Sequence, residues 1–401
     1  MNDAPHIVLY SHDTFGLGHL RRSRKIAMTL VDRFCDAHAT IITGSDLSSR
    51  FPAHDRIHFA PIPQIEKQPD GSYRPADRRL SYEQVIEARS QAIMDALKRR
   101  PADIFITDKE PLGLSGELMP ALGYLKACGA TLVLGLRDVL DDTALLRSEW
   151  ERKGIYERIE GLYDHIWIYG TESFHHPLRD MGLPASVLSS CSFMGFLYRS
   201  LGQAGAPALP ADLPDDYLLV TAGGGGDGDF VMNAVVDAYE QDAGIATPAV
   251  LLLGPYADPR QAHSIRARAQ GTGRMHVIDF DSEPEGLIRR ASAVVGMCGY
   301  NTFCEVVSRN KKALFVPRQT PRLEQYIRAS RAAELGWCRM APEAVASRPL
   351  DFAAAIRALI ADDEPVGAGI DAHGLERIGD AVETILNDRS DHSVQLARAE
   401  R

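Results

Sequence analysis

The first half of the chain alternates short apolar runs with longer amphipathic stretches. Each run is apolar at consecutive positions, which is typical of strands buried on both faces of a sheet. One amphipathic stretch, residues 81–100, opens with Ser81 followed three residues later by Gln84, a capping-box pattern that predicts a helix start. Buried strands that alternate with helices predict a doubly wound parallel sheet. The predicted strands are HIVLY (6–10), ATIITG (39–44), IHFAPI (57–62), ADIFITD (102–108), TLVLGLR (131–137) and HIWIYG (165–170).

The same pattern restarts in the second half after a change in composition. Residues 202–216, GQAGAPALPADLPDD, are dense in Gly, Pro and Ala, which is typical of an interdomain linker. We therefore predict an α/β protein with two Rossmann-like domains, 1–200 and 217–390, a linker at 201–216 and a tail at 391–401. The strands predicted for the second domain are DYLLVTAGGGG (216–226), PAVLLLG (248–254), MHVIDFD (275–281), SAVVGMCG (292–299) and KALFVPR (312–318).

Charge and cysteine usage narrow the function classes. The formal net charge of -10 argues against nucleic-acid binding, because phosphate backbones are bound by clustered Lys and Arg. The 6 cysteines form no C-x-x-C pair, so neither a zinc site nor a disulfide framework is indicated and a reducing cytoplasm is expected. Since no apolar run reaches the roughly 20 residues of a membrane span, we expect membrane contact to be peripheral at most. The sequence leaves open whether the protein forms a homodimer.

The first predicted strand runs into a glycine-containing turn, YSHDTFGLGHLRRSRKIA. Gly16 and Gly18 fall on this turn, where glycines let backbone N–H groups approach an anion and the helix amino terminus attracts negative charge. His19 lies in the first helical turn and is the candidate general base, because a neutral imidazole accepts a proton near pH 7. The alternative is a histidine that only caps or packs. Gly16, Gly18 and Arg22 are predicted to contact the diphosphate of a donor.

The second domain opens with a run of four glycines in TAGGGGDGDF. So many glycines are costly unless a ligand or a sharp turn needs them, so we predict a phosphate-binding loop. The G-K-[ST] ending of a P-loop is absent, which argues against magnesium-dependent nucleotide hydrolysis. Asp227 and Asp229 spell a D-x-D pattern, for which helix capping is favoured over metal binding, and we predict no metal requirement. The predicted diphosphate ligands here are Gly223, Gly224, Gly225 and Gly226.

Residues 292–336 carry the densest set of candidate ligands. A buried strand ends at Cys298-Gly299 and a helix starts near Tyr300 to Thr302, so the first N–H groups of that helix are predicted to hold a diphosphate. Glu305 lies one turn further on the same face and is predicted to accept hydrogen bonds from ribose hydroxyls, the alternative being a capping carboxylate. The predicted roles are Tyr300, Asn301, Thr302 and Arg318 for the diphosphate, Phe280 and Glu305 for the nucleoside, and Glu324 and Gln325 for the sugar.

These motifs, in this order and spacing, resemble the GT-B glycosyltransferases related to the enzyme that adds N-acetylglucosamine to form lipid II. The resemblance spans nearly the whole chain, with Glu324-Gln325 standing where that family usually has two glutamines. It implies two Rossmann-like domains facing across a cleft and a nucleoside-diphosphate sugar donor, with uridine as the nucleoside. The expected activity is that of a hexosyl- or N-acetylhexosaminyltransferase. We predict an inverting displacement in which His19 deprotonates a hydroxyl or amine acceptor.

The GLGHLRR turn also resembles the G-x-G-H-x-x-R turn of the UDP-sugar hydrolase of pseudaminic acid synthesis, in which the histidine activates water. The turn does not separate the two activities, and a protein that binds a nucleotide sugar without turning it over is a third alternative. We favour a transferase because charged residues end the predicted strands where an acceptor would bind. The acceptor, a small molecule, glycan or lipid-linked compound, is unspecified. The acceptor-side candidates are Asp13, Asp108, Arg137 and Asp138.

Overall fold

A computed structural model shows two compact units, each built around a parallel sheet. The first unit comprises described residues up to 12, from His19 to Leu197 and from His373 onwards, and the second comprises residues 17–18 and those from Tyr198 to Ala372. No helix in the described part of the chain is long and apolar enough to cross a membrane. Most of the predicted linker, 201–216, lies outside the described residues. The structure describes residues 4–12, 17–68, 72–199, 209–210, 212–362 and 369–399.

Nine strands lie in the described residues of the first unit. They are β1 (His6–Tyr10), β2 (His38–Thr43), β3 (Ile57–Pro61), β4 (Ile65–Lys67), β5 (Tyr73–Pro75), β6 (Ile104–Asp108), β7 (Thr131–Arg137), β8 (His165–Tyr169) and β9 (Cys191–Phe193). Seven form one parallel sheet in the order β3-β2-β1-β6-β7-β8-β9, and β4 and β5 form an antiparallel hairpin. Because the strand order reverses at β1, the carboxyl ends of β1 and β6 lie side by side, where doubly wound sheets bind ligands.

The helices of the first unit follow its strands as the amphipathic stretches predict. The predicted capping box is confirmed, since Ser81 N donates to Gln84 Oε1 at 2.8 Å and Gln84 N donates to Ser81 Oγ at 3.2 Å. Every residue of β1 and β6 is buried, which agrees with their unbroken apolar pattern. The helices are α1 (Gly18–Arg33), α2 (Tyr82–Arg99), α3 (Met119–Ala127), α4 (Thr143–Arg152), α5 (Tyr156–Ile159) and α6 (Ala185–Ser189), with a 3-10 turn at Asp46–Arg50.

The second unit repeats this architecture, with six parallel strands in the part of it that the structure describes. They are β10 (Leu218–Thr221), β11 (Ala249–Leu252), β12 (Met275–Ile278), β13 (Ala293–Gly296), β14 (Lys312–Phe315) and β15 (Arg339–Met340), in the order β12-β11-β10-β13-β14-β15. The switch in strand order falls between β10 and β13, and β10 leads into the glycine loop. The helices are α7 (Asp229–Gln241), α8 (Pro259–Thr272), α9 (Glu285–Arg290), α10 (Tyr300–Val307), α11 (Glu324–Glu334), α12 (Glu343–Ala346) and α13 (Pro349–Ile360).

The last helix, α14 (Gly374–Ala399), corrects one predicted boundary. The sequence predicts that the second domain runs to residue 390, but α14 groups with the first unit. Its buried Ile378 and Val382 pack there, and Arg33 of α1 forms ion pairs with Asp380 at 2.8 Å and Glu383 at 2.5 Å. Packing of this apolar face, which sequence position does not reveal, decides the assignment.

Candidate active site

His19 lies at the start of α1, at the carboxyl-end edge of the first sheet. The turn that precedes it includes Asp13 and Gly16, which lie outside the described residues, whereas Gly18 is the first residue of α1 and is exposed. The His19 side chain is 14% exposed, and its Nδ1 contacts the carboxylate of Asp108 in a short hydrogen bond. A histidine at a helix start is thus brought together with an aspartate 89 residues away in sequence.

Asp108 is the last residue of β6, the neighbour of β1, and Arg22 binds it from α1. Arg22 Nε donates to Asp108 Oδ1 at 2.9 Å, and Arg22 Nη2 lies 2.7 Å from both carboxylate oxygens. Arg22 is therefore buried against Asp108, and Asp108 pairs with both His19 and Arg22. The predicted contacts of Arg22 with a diphosphate and of Asp108 with an acceptor stay predictions.

Burial and charge set the protonation of this cluster. Burial raises the pKa of Asp108, but the Arg22 guanidinium and His19 outweigh it and hold that pKa well below the ordinary range. Burial lowers the pKa of His19 to about 4, helped by Arg22 and Lys109 and opposed by Asp108. An ionised carboxylate only accepts hydrogen bonds, so the proton of the neutral imidazole is assigned to Nδ1. The Nε2 lone pair of His19 is therefore available to take a proton.

Three charged residues and a second histidine beside this cluster were missed in the sequence. The His12 ring packs edge-on against His19, with ring centroids 5.6 Å apart, and burial lowers its pKa well below the ordinary value. Glu110 is buried and binds Lys109 at 3.0 Å and Lys153 at 2.7 Å. The signal that could have found His12 and Glu110 is their position two residues beyond the ends of β1 and β6.

The remaining acceptor-side candidates lie at the end of β7, next to β6. Arg137 is the last residue of β7 and is half-buried. Asp138 is completely buried, and a Cβ on Gly170 would lie 2.8 Å from the Asp138 Cβ. The structure therefore keeps Arg137 near the sheet edge but does not present Asp138 to an acceptor, because close packing covers its side chain.

In the second unit, the glycine loop owes part of its composition to its own backbone. Gly223 and Gly225 have φ values of 66° and 87°, which favour glycine, and a Cβ on Gly225 would lie 2.5 Å from Leu253 O. Gly224 O accepts from Tyr256 N at 3.1 Å, while Gly226 is exposed. A sharp turn thus accounts for two of the four glycines, and phosphate binding by the loop stays a prediction.

The glycine loop lies beside the amino terminus of α10, because β10 and β13 are paired. A Cβ on Gly223 would lie 3.8 Å from Thr302 Oγ1. Tyr300 and Thr302 are buried and Asn301 is half-buried, and Gly299, the residue before the helix, provides no side-chain cap. The structure thus brings together the two backbone segments predicted to hold a diphosphate. Glu305 lies on the same short helix and is 1% exposed.

Arg318, just after β14, joins the other candidates of this unit through ion pairs. Its Nε lies 3.1 Å from Asp227 Oδ2, its Nη2 donates to Glu324 Oε1 at 2.5 Å, and its backbone N donates to Gln325 Oε1 at 3.4 Å. Glu324 and Gln325 are buried at the start of α11, and half-buried Phe280 follows β12 by two residues. Asp227 of the D-x-D pattern is therefore an ion-pair partner of Arg318.

Among the described side chains, no group of three or more His, Cys, Asp or Glu could hold a metal ion.

The second unit matches a known domain family. Residues 218–383 match the glycosyltransferase family 28 C-terminal domain. No curated protein matches the chain in sequence.

Solved structures match almost the whole chain. The calicheamicin glycosyltransferase CalG4 has a TM-score of 0.57 at 15% identity, covering 99% of this chain and 98% of that chain. MurG of Acinetobacter baumannii has a TM-score of 0.53 at 14% identity, and the match covers 98% of this chain and 99% of that chain. A UDP-glucose: anthocyanidin 3-O-glucosyltransferase in complex with UDP has a TM-score of 0.59 at 13% identity, and the match covers 96% of this chain and 95% of that chain. These matches confirm the predicted GT-B fold of two Rossmann-like domains.

Proposed function

We propose that this chain is an inverting, metal-independent glycosyltransferase that moves a sugar from a UDP-linked donor to a hydroxyl or amine acceptor. The observation that carries the proposal is the hydrogen bond between His19 Nδ1 and Asp108, which leaves the Nε2 lone pair available. An imidazole oriented and kept neutral in this way is suited to act as a general base. UDP is proposed because a structurally similar glucosyltransferase was solved with UDP.

In the proposed reaction, the first unit supplies the base. The acceptor oxygen or nitrogen forms a bond to the anomeric carbon of the sugar, while the bond from that carbon to the diphosphate oxygen breaks. His19 Nε2 takes the acceptor proton, and Asp108 stabilises the resulting imidazolium. A single displacement of this kind inverts the configuration at the anomeric carbon.

The second unit is proposed to hold the donor and its leaving group. The N–H groups at the start of α10 and the loop from Gly223 to Gly226 would bind the diphosphate, with Arg318 as a charged partner. Glu305 and Phe280 would contact the nucleoside. The sugar would be bound at the start of α11, where Glu324 and Gln325 are buried.

The test uses purified full-length protein and a panel of nucleoside-diphosphate sugars, each with EDTA and with magnesium, without and then with a mixture of candidate acceptors. Donor binding is measured by calorimetry and the products by mass spectrometry. We expect UDP sugars to bind equally well in EDTA and to release UDP only when an acceptor is present. Failure of every donor to bind would overturn the proposal, and a requirement for magnesium would overturn its metal independence.

A hydrolase is the second candidate, because the Arg22-Asp108-His19 cluster could equally activate a water. The two differ in product: a hydrolase releases free sugar and UDP without an acceptor, and this release is lost in His19→Ala. Binding without turnover under all conditions would instead indicate a nucleotide-sugar-binding protein. We also propose, because the 6 cysteines are scattered along the sequence without a C-x-x-C pair, that the protein works in the cytoplasm.

A further inference from the structure

We propose that Arg22 is a positioning residue that acts through Asp108 to fix the orientation and tautomer of His19. This inference rests on the proposed role of His19 as a general base and deepens it. The Arg22 guanidinium is a buried charge: the residue is 2% exposed although it lies on the first turns of a surface helix. A guanidinium in such a place is destabilising unless it is paired.

The pairing is specific in geometry. Arg22 follows His19 by three residues on α1, so the two side chains lie on one face of the helix and meet the same carboxylate. The Nε and Nη2 atoms of Arg22 contact both oxygens of Asp108 at 2.7 to 2.9 Å, while His19 contacts Oδ2. Asp108 is thereby held from one side by a rigid planar group and can face His19 in only a narrow range of orientations.

Arg22 has two consequences for the imidazole. It keeps Asp108 ionised, so the carboxylate accepts the Nδ1 proton and directs the Nε2 lone pair away from Asp108. Its Nη2 also lies 3.0 Å from His19 Nδ1, where a positive charge disfavours the imidazolium form. Without Arg22, Asp108 would pair with a protonated His19 and remove the base near neutral pH.

The other groups that face this pair do not replace Arg22. Lys109, after β6, adds a second positive charge that also lowers the pKa of His19. His12 packs on His19 and stays neutral because burial lowers its own pKa. Tyr169 of β8 faces Asp108, and burial raises its pKa, so it stays neutral too. Arg22 contacts both Asp108 and His19 directly.

The experiment is a titration of the His19 imidazole by nuclear magnetic resonance on the intact protein, with the signal assigned by its loss in His19→Gln. Arg22→Gln removes the charge but keeps an amide donor, and Arg22→Lys keeps the charge but loses the planar fork. Arg24→Gln makes the same charge change on α1, where Arg24 lies over the Phe51 ring, 5.2 Å from its centroid. We expect the midpoint of His19 to rise by about one pH unit or more in Arg22→Gln. It should stay near that of the wild type in Arg22→Lys and Arg24→Gln.

An unchanged midpoint in a folded Arg22→Gln protein would overturn the inference, as would an equal rise in all three variants. If Arg22→Gln does not fold, the nitrogen shifts of the wild-type imidazole decide: a proton on Nδ1 supports the inference, and a proton on Nε2 contradicts it. The titration needs no substrate. A protein whose imidazole behaves as expected but that binds no donor would therefore keep the inference about Arg22 and lose the proposed transferase.

Discussion

The two units have the same doubly wound sheet with a glycine-containing turn after the first strand, yet they offer different chemistry at that turn. In the first unit, the turn leads to His19, and side chains from α1 and β6 build a buried ionic cluster around it. In the second unit, the turn and the start of α10 present mainly backbone groups. We therefore propose that one fold supplies a base through side chains in the first unit and an anion site through backbone groups in the second.

The largest effect is expected from His19→Ala. Removal of the proposed base should lower kcat by about a thousandfold, within the range typical of general-base catalysis, and should leave donor affinity unchanged. Calorimetry with a UDP sugar and initial rates with an acceptor measure the two quantities. His263→Ala, at an exposed position of α8, is the matched control and should change neither. If His19→Ala also weakened donor binding strongly, the separation of chemistry between the units would fail.

Acid should destabilise the first unit through His19. The pKa of His19 is about 4 in the folded protein against 6.5 for an ordinary histidine, so between these values the unfolded chain binds a proton that the folded chain does not. Stability is therefore lost as pH falls from about 6.5 towards about 4, by at most about 3 kcal/mol. Urea unfolding across this range should show a smaller pH dependence in His19→Gln than in the wild type. Parallel curves for both proteins would contradict the assignment.

The sequence predicted the fold and the turn at the glycine loop better than the contacts around His19. Apolar runs, the Ser81 capping box and the glycine loop are local signals, and local backbone geometry follows from them. The Asp108 partnership of His19 and Arg22 joins residues 86 to 89 positions apart, and it depends on strand order, which no short motif contains. For the same reason α14 was assigned to the wrong unit, since its packing partner Arg33 lies far away in the sequence.

In the second unit, Gly225→Ala should damage the backbone site. The φ of 87° at Gly225 and the 2.5 Å approach of an added Cβ to Leu253 O mean that the loop must rearrange. We expect a loss of about 2 kcal/mol in stability and a donor affinity at least about tenfold weaker, with the His19 titration unchanged. Gly271→Ala, at an exposed position of α8 where an added Cβ would meet nothing within 4 Å, is the control and should leave donor affinity unchanged without lowering stability. Normal donor binding by Gly225→Ala would show that the loop is only a turn.

The smallest expected effect is a change in donor affinity when the charges around Arg318 are altered. This change distinguishes diphosphate binding from metal binding. Arg318→Met removes the proposed partner of the diphosphate, so donor affinity should fall by about tenfold. Asp227 lies 3.1 Å from Arg318 Nε and is about a third exposed, so its negative charge opposes an incoming diphosphate. Asp227→Asn should therefore bind the donor a few-fold more tightly, as expected for a partly solvated charge pair. Asp215→Asn, at an exposed carboxylate paired with Arg290, is the control and should leave affinity unchanged.

A metal-binding role for the D-x-D pattern predicts the opposite change in the donor affinity of Asp227→Asn. If Asp227 held a divalent cation together with the donor, Asp227→Asn would weaken donor binding, and EDTA would weaken it in the wild type but not in the variant. Measuring donor affinity for both proteins with EDTA and with magnesium therefore distinguishes the two. Tighter binding by Asp227→Asn in EDTA would place the anion site in the backbone of the loop and α10 with Arg318, whereas weaker binding would return Asp227 to the site as a metal ligand.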